Sequence, residues 1–217
     1  MKTCKNLIPS YSLFCALSIL FLVNLSSCVT VRIENIETIE EKRESVPRKV
    51  CSRNLTDEGV KKQSELVQFF LSENPEVSID KINRLAGFYI EEASYEGINS
   101  DCAFVQMCLE TGFLSFGNLV TIGMNNFCGL GAMDAEHPGE CFATEQLGVR
   151  AHVQHLHAYA TDSSVKLNKE LVDPRYSWVH KAKSARNVQE LAGQWAMDAA
   201  YGDKLDALLT RLDNFTL

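Results

Sequence analysis

Glu110 is the residue of this chain best placed for acid chemistry. It lies near the end of an apolar segment, residues 103–114, and Gly112 follows it two positions later. A helical reading places Gln106 and Glu110 on one stripe and makes Gly112 a typical C-cap. Partial burial of a carboxyl group at such a helix end raises its pKa, so that it holds a proton near neutral pH. The sequence therefore indicates a general acid; a solvated glutamate without a catalytic role is the alternative.

The motifs around Glu110 occur in an order that indicates a known family. They are residues 91–101, the Glu110-Thr-Gly motif, the Asn125-Asn-Phe-Cys-Gly-Leu motif, Phe142, residues 148–156 and residues 195–202. In this order they resemble the glucosaminidase domain of glycoside hydrolase family seventy-three, whose members are bacterial peptidoglycan hydrolases with a lysozyme-like, mostly helical fold. The resemblance extends from residue 79 to residue 212. Its most specific parts are the Glu-Thr-Gly and Asn-Asn-Phe-x-Gly-Leu motifs.

The resemblance implies an enzyme that hydrolyses the β-1,4 bond between N-acetylglucosamine and N-acetylmuramic acid. Glu110 matches the catalytic acid of the family, and Tyr201 matches a tyrosine that supports the sugar in the cleft. We expect a further set of residues to bind the substrate. These are Gln106, Asn126, Phe127, Gly129 and Tyr159. The resemblance implies no metal and no other cofactor.

An ordinary glycosidase needs a second catalytic carboxylate, about 5–5.5 Å from the acid for retention of configuration or about 6.5–9.5 Å for inversion. Six acidic residues near Glu110 are candidates. They are Glu92, Glu96, Asp134, Glu136, Glu140 and Glu145. Each of them, taken singly, is more typical of a solvated surface acid. The family resemblance leaves a second route open, in which the 2-acetamido group of the substrate attacks in place of a carboxylate.

Two other kinds of site are weaker interpretations. His152, His155 and His157 suggest a zinc site, but on one helix His157 faces away from the other two, so the three cannot complete one zinc shell. Cys128 paired with a histidine would suggest a cysteine peptidase, but nothing around Cys128 resembles such an enzyme. We therefore predict no metal site. Cys128 and Cys141 flank the expected hairpin and are either joined in a disulfide or free thiols.

The N-terminus has the pattern of an export signal. Lys2 and Lys5 form a basic start, residues 13–23 are apolar, and Leu25-Ser-Ser-Cys28 has the small residues of a cleavage site. Leu-Ser-Ser-Cys also resembles a bacterial lipobox, whose cysteine becomes the lipidated first residue of the mature protein. We therefore expect residues 1–27 to be a lipoprotein signal peptide and Cys28 to hold an exported protein on a membrane of the bacterial envelope. An uncleaved anchor is the alternative, although about 11 apolar residues are short for a bilayer span, which needs about 20.

The remainder of the chain divides into a tether and one domain. Residues 28–56 are polar and of mixed charge, which is typical of a tether, and residues 57–217 are long enough for one glucosaminidase domain with its own core. The formal net charge is −7. Because no basic stripe is present to neutralise phosphates, the sequence excludes nucleic acid as a partner. We expect a monomer that binds the glycan strands of peptidoglycan.

The elements that must position Glu110 are helices around one irregular segment. Apolar spacing predicts helices at residues 57–71, 79–96, 149–160, 187–195 and 201–212, besides the helix that carries Glu110. Asn99 or Ser100 would cap that helix. Glycines and Pro138 between residues 117 and 139 favour turns and a short hairpin. The predicted fold class is mainly α, an α+β lysozyme-like domain with a short β-hairpin or irregular lobe beside the catalytic cleft.

Two functions from different classes remain open at this point. The first is a glycosidase of the cell wall, which the position of Glu110 favours. The second is a wall-binding lipoprotein that keeps a lysozyme-like groove with weak turnover or none. The sequence does not decide between them, because it does not identify the second catalytic group.

Overall fold

A computed structural model of the protein describes residues 49–117 and 119–215. These residues form six α-helices and two 3-10 turns. The helices are α1 (Gln63–Glu73), α2 (Ile79–Glu96), α3 (Ser100–Thr111), α4 (Glu145–Ala160), α5 (Tyr176–Ala182) and α6 (Tyr201–Asn214). The 3-10 turns are Ile122–Met124 and Gln189–Leu191. The predicted mainly α fold class is confirmed.

Helix α3, which carries Glu110, is enclosed by the rest of the domain. Ten of its 12 residues are buried, so it is covered on every side instead of being amphipathic. The Asn99 side chain caps its start by accepting hydrogen bonds from the backbone N–H groups of Asp101 at 3.0 Å and Cys102 at 3.3 Å. Gly112 ends the helix in the left-handed conformation, at φ 55°. Both predicted ends are confirmed, and together they fix where Glu110 projects.

The other helices pack around α3. Helix α2 contacts α1, α3 and α4, while α5 packs on α4 and α6 packs on α3. The ring centroids of Tyr89 in α2 and Phe104 in α3 lie 5.9 Å apart, edge to face, and Phe70 of α1 contacts Phe104 in the same way at 6.4 Å. Complete burial of one large apolar side chain contributes about 1.5–3 kcal/mol. Tight aromatic packing therefore holds the frame of the active site.

Residues 113–117 and 119–144, between α3 and α4, form the predicted irregular lobe. Its hairpin is short: one antiparallel bridge joins Ala132 and Pro138, and Glu140 N–H donates to Leu130 C=O at 2.8 Å. A side chain at Gly148 in α4 would collide with this lobe, because a Cβ there would lie 1.7 Å from the backbone oxygen of Asn125. Glycine at this position permits the close contact between α4 and the lobe.

The folded domain begins before residue 57, where the sequence analysis places its start. Cys51 and Leu55 are buried. Arg53 pairs with Asp206 at 2.6 Å and with Asp213 at 3.1 Å, which attaches the segment to α6. The compact unit accordingly starts at Lys49. Arg53 contributes to the mixed charge that predicts a tether, but its charge is used in ion pairs within the domain.

The predicted signal peptide at residues 1–27, Cys28 and the tether up to residue 48 lie outside the described residues. Among the helices that the structure does describe, none combines the length and the apolar composition needed to cross a membrane.

Helix α1 starts later than the sequence predicts. The periodic pattern begins at residue 57, but the helix begins at Gln63. The backbone N–H groups of Val60 and Lys61 donate to the Asp101 carboxylate at 2.8 and 3.2 Å, so these residues are bound to the start of α3. A buried carboxylate that is distant in sequence therefore sets this helix boundary.

Two differences concern the C-terminal third. The helix predicted at residues 187–195 is reduced to the 3-10 turn Gln189–Leu191, with Gly193 following in the left-handed region at φ 73°. Helix α5 is absent from the prediction. It has seven residues, too few to produce a clear helical period.

Candidate active site

A cleft of about 740 Å³ opens beside Glu110. One side is the end of α3, and the opposite side is the turn of the irregular lobe, at Asn126, Gly129 and Ala132. Phe116 belongs to the lining between them. The volume lies within the range of about 300–1,000 Å³ that is usual for ligand sites. The cleft therefore has room for sugar units next to Glu110.

Two hydrogen-bond donors meet at one oxygen of the Glu110 carboxyl group. Trp195 Nε1–H donates to Oε1 at 2.9 Å, and the Tyr201 hydroxyl donates to the same oxygen. Tyr201 is the first residue of α6, and the leucines on one side of this helix are buried. Because Oε1 accepts both bonds, the acidic proton of Glu110 belongs on Oε2.

The surroundings of Glu110 favour its protonated form. Burial raises the pKa of the carboxyl group above its ordinary value, and the hydrogen bonds from Tyr201 and Trp195 oppose that shift without cancelling it. Among the described residues, no charged side chain is a cause of the shift. The C-terminal end of a helix also carries partial negative charge, which disfavours a carboxylate. The direction of the shift is the one that a general acid needs.

A chain of hydrogen bonds leads from Glu110 into the core. Gln106 Nε2 donates to the Tyr201 hydroxyl at 2.8 Å, Gln106 Oε1 lies 3.0 Å from His152 Nε2, and His152 Nδ1 lies 2.8 Å from the Tyr89 hydroxyl. Burial lowers the pKa of His152 to about 3, so the ring is neutral and carries one N–H. Gln106 Oε1 can only accept, which assigns that N–H to Nε2. Each donor in the chain then points toward Glu110. The hydroxyl hydrogen of Tyr201 is therefore directed at Glu110 Oε1.

The second oxygen of Glu110 faces the turn of the lobe. A Cβ on Gly129 would lie 4.0 Å from Oε2, and Gly129 is in the left-handed region at φ 67°. Asn126 shapes the turn, because its side chain donates to the carbonyl groups of Leu130 at 2.9 Å and Glu140 at 3.0 Å. The Asn126 Oδ1 atom also accepts from Leu130 N–H at 2.9 Å. At Gly129, the turn therefore presents only backbone atoms to Glu110 Oε2.

Sequence comparison identifies the region that contains this geometry. Residues 86–214, which include Glu110, Trp195 and Tyr201, match the profile of the glucosaminidase family, described as mannosyl-glycoprotein endo-β-N-acetylglucosaminidase. The chain belongs to the glucosaminidase family. The family predicted from the motifs is thereby confirmed, and the chain is a glycoside hydrolase by family.

The similarity to a bacterial relative extends beyond the family match. The glucosaminidase chain is 37% identical over 206 residues to an uncharacterized protein of Borreliella burgdorferi. The alignment covers 95% of this chain and 96% of that protein. No solved structure matches the chain significantly.

The predicted substrate-binding residues of the glucosaminidase lie in three different environments. Asn126 and Gly129 line the cleft. Gln106 and Phe127 are buried, with 1% and 0% of their surface exposed. The Gln106 side chain is hydrogen-bonded to Tyr201, and Phe127 is a core residue. Tyr159 lies in a neighbouring pocket.

Most of the candidate second carboxylates have partners elsewhere in the protein. The engaged acids are Glu92 with Arg150 and Lys169, Glu96 with the backbone N–H groups of Asn168 and Lys169, Asp134 with His137, and Glu145 with Lys81 and Arg84. Glu136 is exposed, whereas Glu140 is half-buried. Glu140 packs against Gly131, which follows Gly129 by two residues. A Cβ on Gly131 would lie 3.3 Å from both the Cγ and the Oε1 atom of Glu140. Among the six candidates, Glu140 is the one that packs on the cleft turn.

Two residues of the hydrogen-bonded site have no assigned role in the sequence analysis. Trp195 belongs to a matching motif, but no regular element joins it to Tyr201, so their convergence on Glu110 is a tertiary effect. His152 is named there only among the candidate zinc ligands. The ring centroids of His152 and His155 lie 5.7 and 5.0 Å from that of Trp195. His157 stacks on a different aromatic ring, which agrees with the prediction that it faces away from the other two histidines on the helix.

The cysteines offer no nucleophile in this site. Cys128 is buried, and burial raises the pKa of its thiol well above the ordinary value. A thiol of this kind is not the reactive thiolate of a cysteine peptidase. The five cysteines in the described part of the chain are free, so Cys128 and Cys141 are not joined in a disulfide.

Proposed function

We propose that the protein cleaves the β-1,4 bond between N-acetylglucosamine and N-acetylmuramic acid in peptidoglycan, with Glu110 as the general acid. The observation that carries the proposal is the pair of donors on Oε1 of a half-buried carboxyl group, which leaves Oε2 to hold a proton toward the cleft. Family membership supports a glycosidase, and the description of the family profile supports an internal, endo-type cut.

The geometry suggests how acid catalysis proceeds. Glu110 Oε2–H donates its proton to the glycosidic oxygen as the bond to the anomeric carbon breaks. Negative charge then develops on the carboxyl group, where Tyr201 and Trp195 stabilise it through hydrogen bonds already in place. Burial retains the proton before the reaction, and the two donors stabilise the charge as the proton leaves. A carboxylate-activated water or the substrate's acetamido group completes the reaction at the anomeric carbon.

Incubation of purified peptidoglycan sacculi with the protein tests this function. Hydrolysis releases soluble glycan fragments, and an endo-type cut releases fragments several disaccharides long at early times. A wall-binding protein without turnover would instead sediment with the sacculi and release nothing, which would overturn the proposal.

Glu140 is the carboxylate that we propose as the second catalytic group. Glu140→Gln should lower the rate of hydrolysis by a factor of at least about 100, because a general base that activates water contributes on that scale. Glu136→Gln, on the exposed part of the same hairpin, is the matched control and should retain activity. Steady-state rates on soluble glycan strands measure both. Full activity of the Glu140→Gln protein would exclude Glu140 and favour attack by the acetamido group.

We also propose that the protein is an exported lipoprotein held on a membrane through Cys28. This rests on the lipobox pattern of Leu25-Ser-Ser-Cys28 behind an apolar segment. One acyl chain gives only marginal membrane binding, and additional chains make anchoring stable. The attachment would keep a monomeric enzyme close to the wall.

Replacement of Cys28 tests the anchor. Cys28→Ala should abolish incorporation of labelled fatty acid and prevent normal lipoprotein maturation, because the acylated sulfur is lost. Metabolic labelling followed by electrophoresis measures the label and the size of the protein, with Cys141→Ala as a control for loss of an exposed thiol. Absence of label from the unmodified protein would contradict the proposal.

A further inference from the structure

A second pocket adjoins the catalytic cleft on the far side of the lobe turn. Its volume is about 260 Å³, and it shares Gly129 and Ala132 with the lining of the cleft. Trp195 and Tyr159 also line it, with ring centroids 5.4 Å apart. Whole-ligand sites usually exceed about 300 Å³. The pocket therefore suits a group attached to the glycan better than a further run of sugars.

The lining of the second pocket carries positive charge in an acidic protein. Arg175 and Lys183 both line it, whereas the formal net charge of the chain is −7. Within residues 49–117 and 119–215, neither side chain is ion-paired with an acid. Asp173 is buried, and its carboxylate is used by His155 Nδ1 at 2.7 Å and by the backbone N–H of Arg175 at 2.8 Å. The two cationic groups thus remain available to an anionic ligand.

The position of the Arg175 guanidinium is consistent with this role. It lies 6.0 Å from the ring centroid of Trp178, which is 57% exposed and also lines the pocket. Its charge opposes the rise in the pKa of Tyr159 that burial causes, and Tyr159 also lines the pocket. An arginine beside an aromatic face binds carboxylates through paired N–H donors, while the ring covers the apolar part of the ligand.

We propose that this second pocket binds a carboxylate carried by the N-acetylmuramic acid unit of the glycan, with Arg175 and Lys183 as its cationic ligands. The inference rests on the proposed function, because it assumes a peptidoglycan strand in the cleft. N-acetylglucosamine is neutral, whereas the muramic acid unit carries a lactyl carboxylate when free and peptide carboxylates when substituted. Recognition of that charge beside Gly129 would fix which sugar lies on each side of Glu110. Trp195, which lines the pocket and donates to Glu110, connects the two sites.

Three forms of soluble glycan strand test this inference. The first carries stem peptides, the second is stripped by an amidase so that its lactyl carboxylates are free, and the third has those lactyl carboxylates converted to methylamides. For carboxylate-bearing strands, Arg175→Gln/Lys183→Gln should raise KM about 10-fold with little change in kcat, because charge-assisted contacts are lost. The increase should shrink at high salt. The double variant should show no increase in KM for the methylamide strands, and Lys181→Gln, an exposed lysine of α5 outside the pocket, is the matched control.

The outcomes separate this inference from the proposed function. An increase restricted to peptide-bearing strands assigns the carboxylate to the stem peptide, and one restricted to stripped strands assigns it to the lactyl group. An equal increase on all three forms, or none on any, overturns the inference while hydrolysis by the unmodified protein upholds the function. If the unmodified protein cuts none of them, the function fails. Binding of all three forms to the unmodified protein and to the double variant then decides the pocket: an equal loss of affinity for all three forms in the double variant, or no loss for any of them, overturns it.

Discussion

Replacement of Glu110 by glutamine should abolish most of the activity while leaving the fold intact. Glutamine preserves the shape of the side chain and can still accept from Tyr201 and Trp195, but it has no acidic proton for the leaving oxygen. We expect hydrolysis to fall by a factor of at least about 100, the scale of general acid catalysis. Rates on soluble glycan strands measure the effect, with Glu76→Gln as an exposed control that should remain fully active.

Glu110→Gln should also change how the free energy of unfolding depends on pH. The pKa of Glu110 is raised in the folded state, so the folded protein binds more protons than the unfolded chain between the unfolded and folded pKa values. The free energy of unfolding therefore falls as the pH rises through that interval, and the loss persists at neutral pH. Glu110→Gln should unfold at a higher temperature than the unmodified protein at pH 7, and the difference should vanish below the ordinary carboxyl range. An active, well-folded variant would remove Glu110 from the mechanism.

Tyr201→Phe should produce the second large effect. The substitution keeps the buried ring and removes only the hydroxyl that donates to Glu110 Oε1. A donor that stabilises charge as it develops contributes a few kcal/mol, so kcat should fall about 10-fold to 1,000-fold. The lost donor also favoured the charged form of Glu110, so the pKa of that carboxyl group should rise further. The alkaline limb of the pH–rate profile should therefore move to higher pH.

A matched variant separates this role of Tyr201 from simple packing. Tyr176 is also buried, and its hydroxyl lies 2.9 Å from His157 Nδ1, away from the cleft. Tyr176→Phe should lose a comparable part of the free energy of unfolding but keep kcat and the pH profile. Unchanged kcat in the Tyr201→Phe protein would make Tyr201 structural and leave Trp195 as the donor to Glu110.

The parts of the fold that follow from local chemistry are predictable from the sequence. The ends of α3 depend on an asparagine cap and a left-handed glycine within the helix's own neighbourhood, and both agree with the structure. The same holds for α2, whose predicted residues 79–96 are those observed. The position of Glu110 follows directly from these local signals.

Features that depend on distant residues are not predictable in this way. Asp101 sets the start of α1 through backbone groups 40 and 41 positions away. Arg53 joins the domain through ion pairs with residues more than 150 positions later. Trp195 reaches Glu110 from an irregular segment, and His152 becomes part of the hydrogen-bond chain only because Gln106 stands opposite it.

The identity of the new sugar ends tests the central claim most directly. Peptidoglycan digested with the protein is reduced with borohydride and hydrolysed, so that each newly exposed reducing sugar is recovered as its alcohol. If Glu110 is the acid, the unmodified protein should yield glucosaminitol. The Glu110→Gln protein should yield neither glucosaminitol nor muramitol above background. Muramitol as the new end, or undiminished glucosaminitol from the Glu110→Gln protein, would contradict the account.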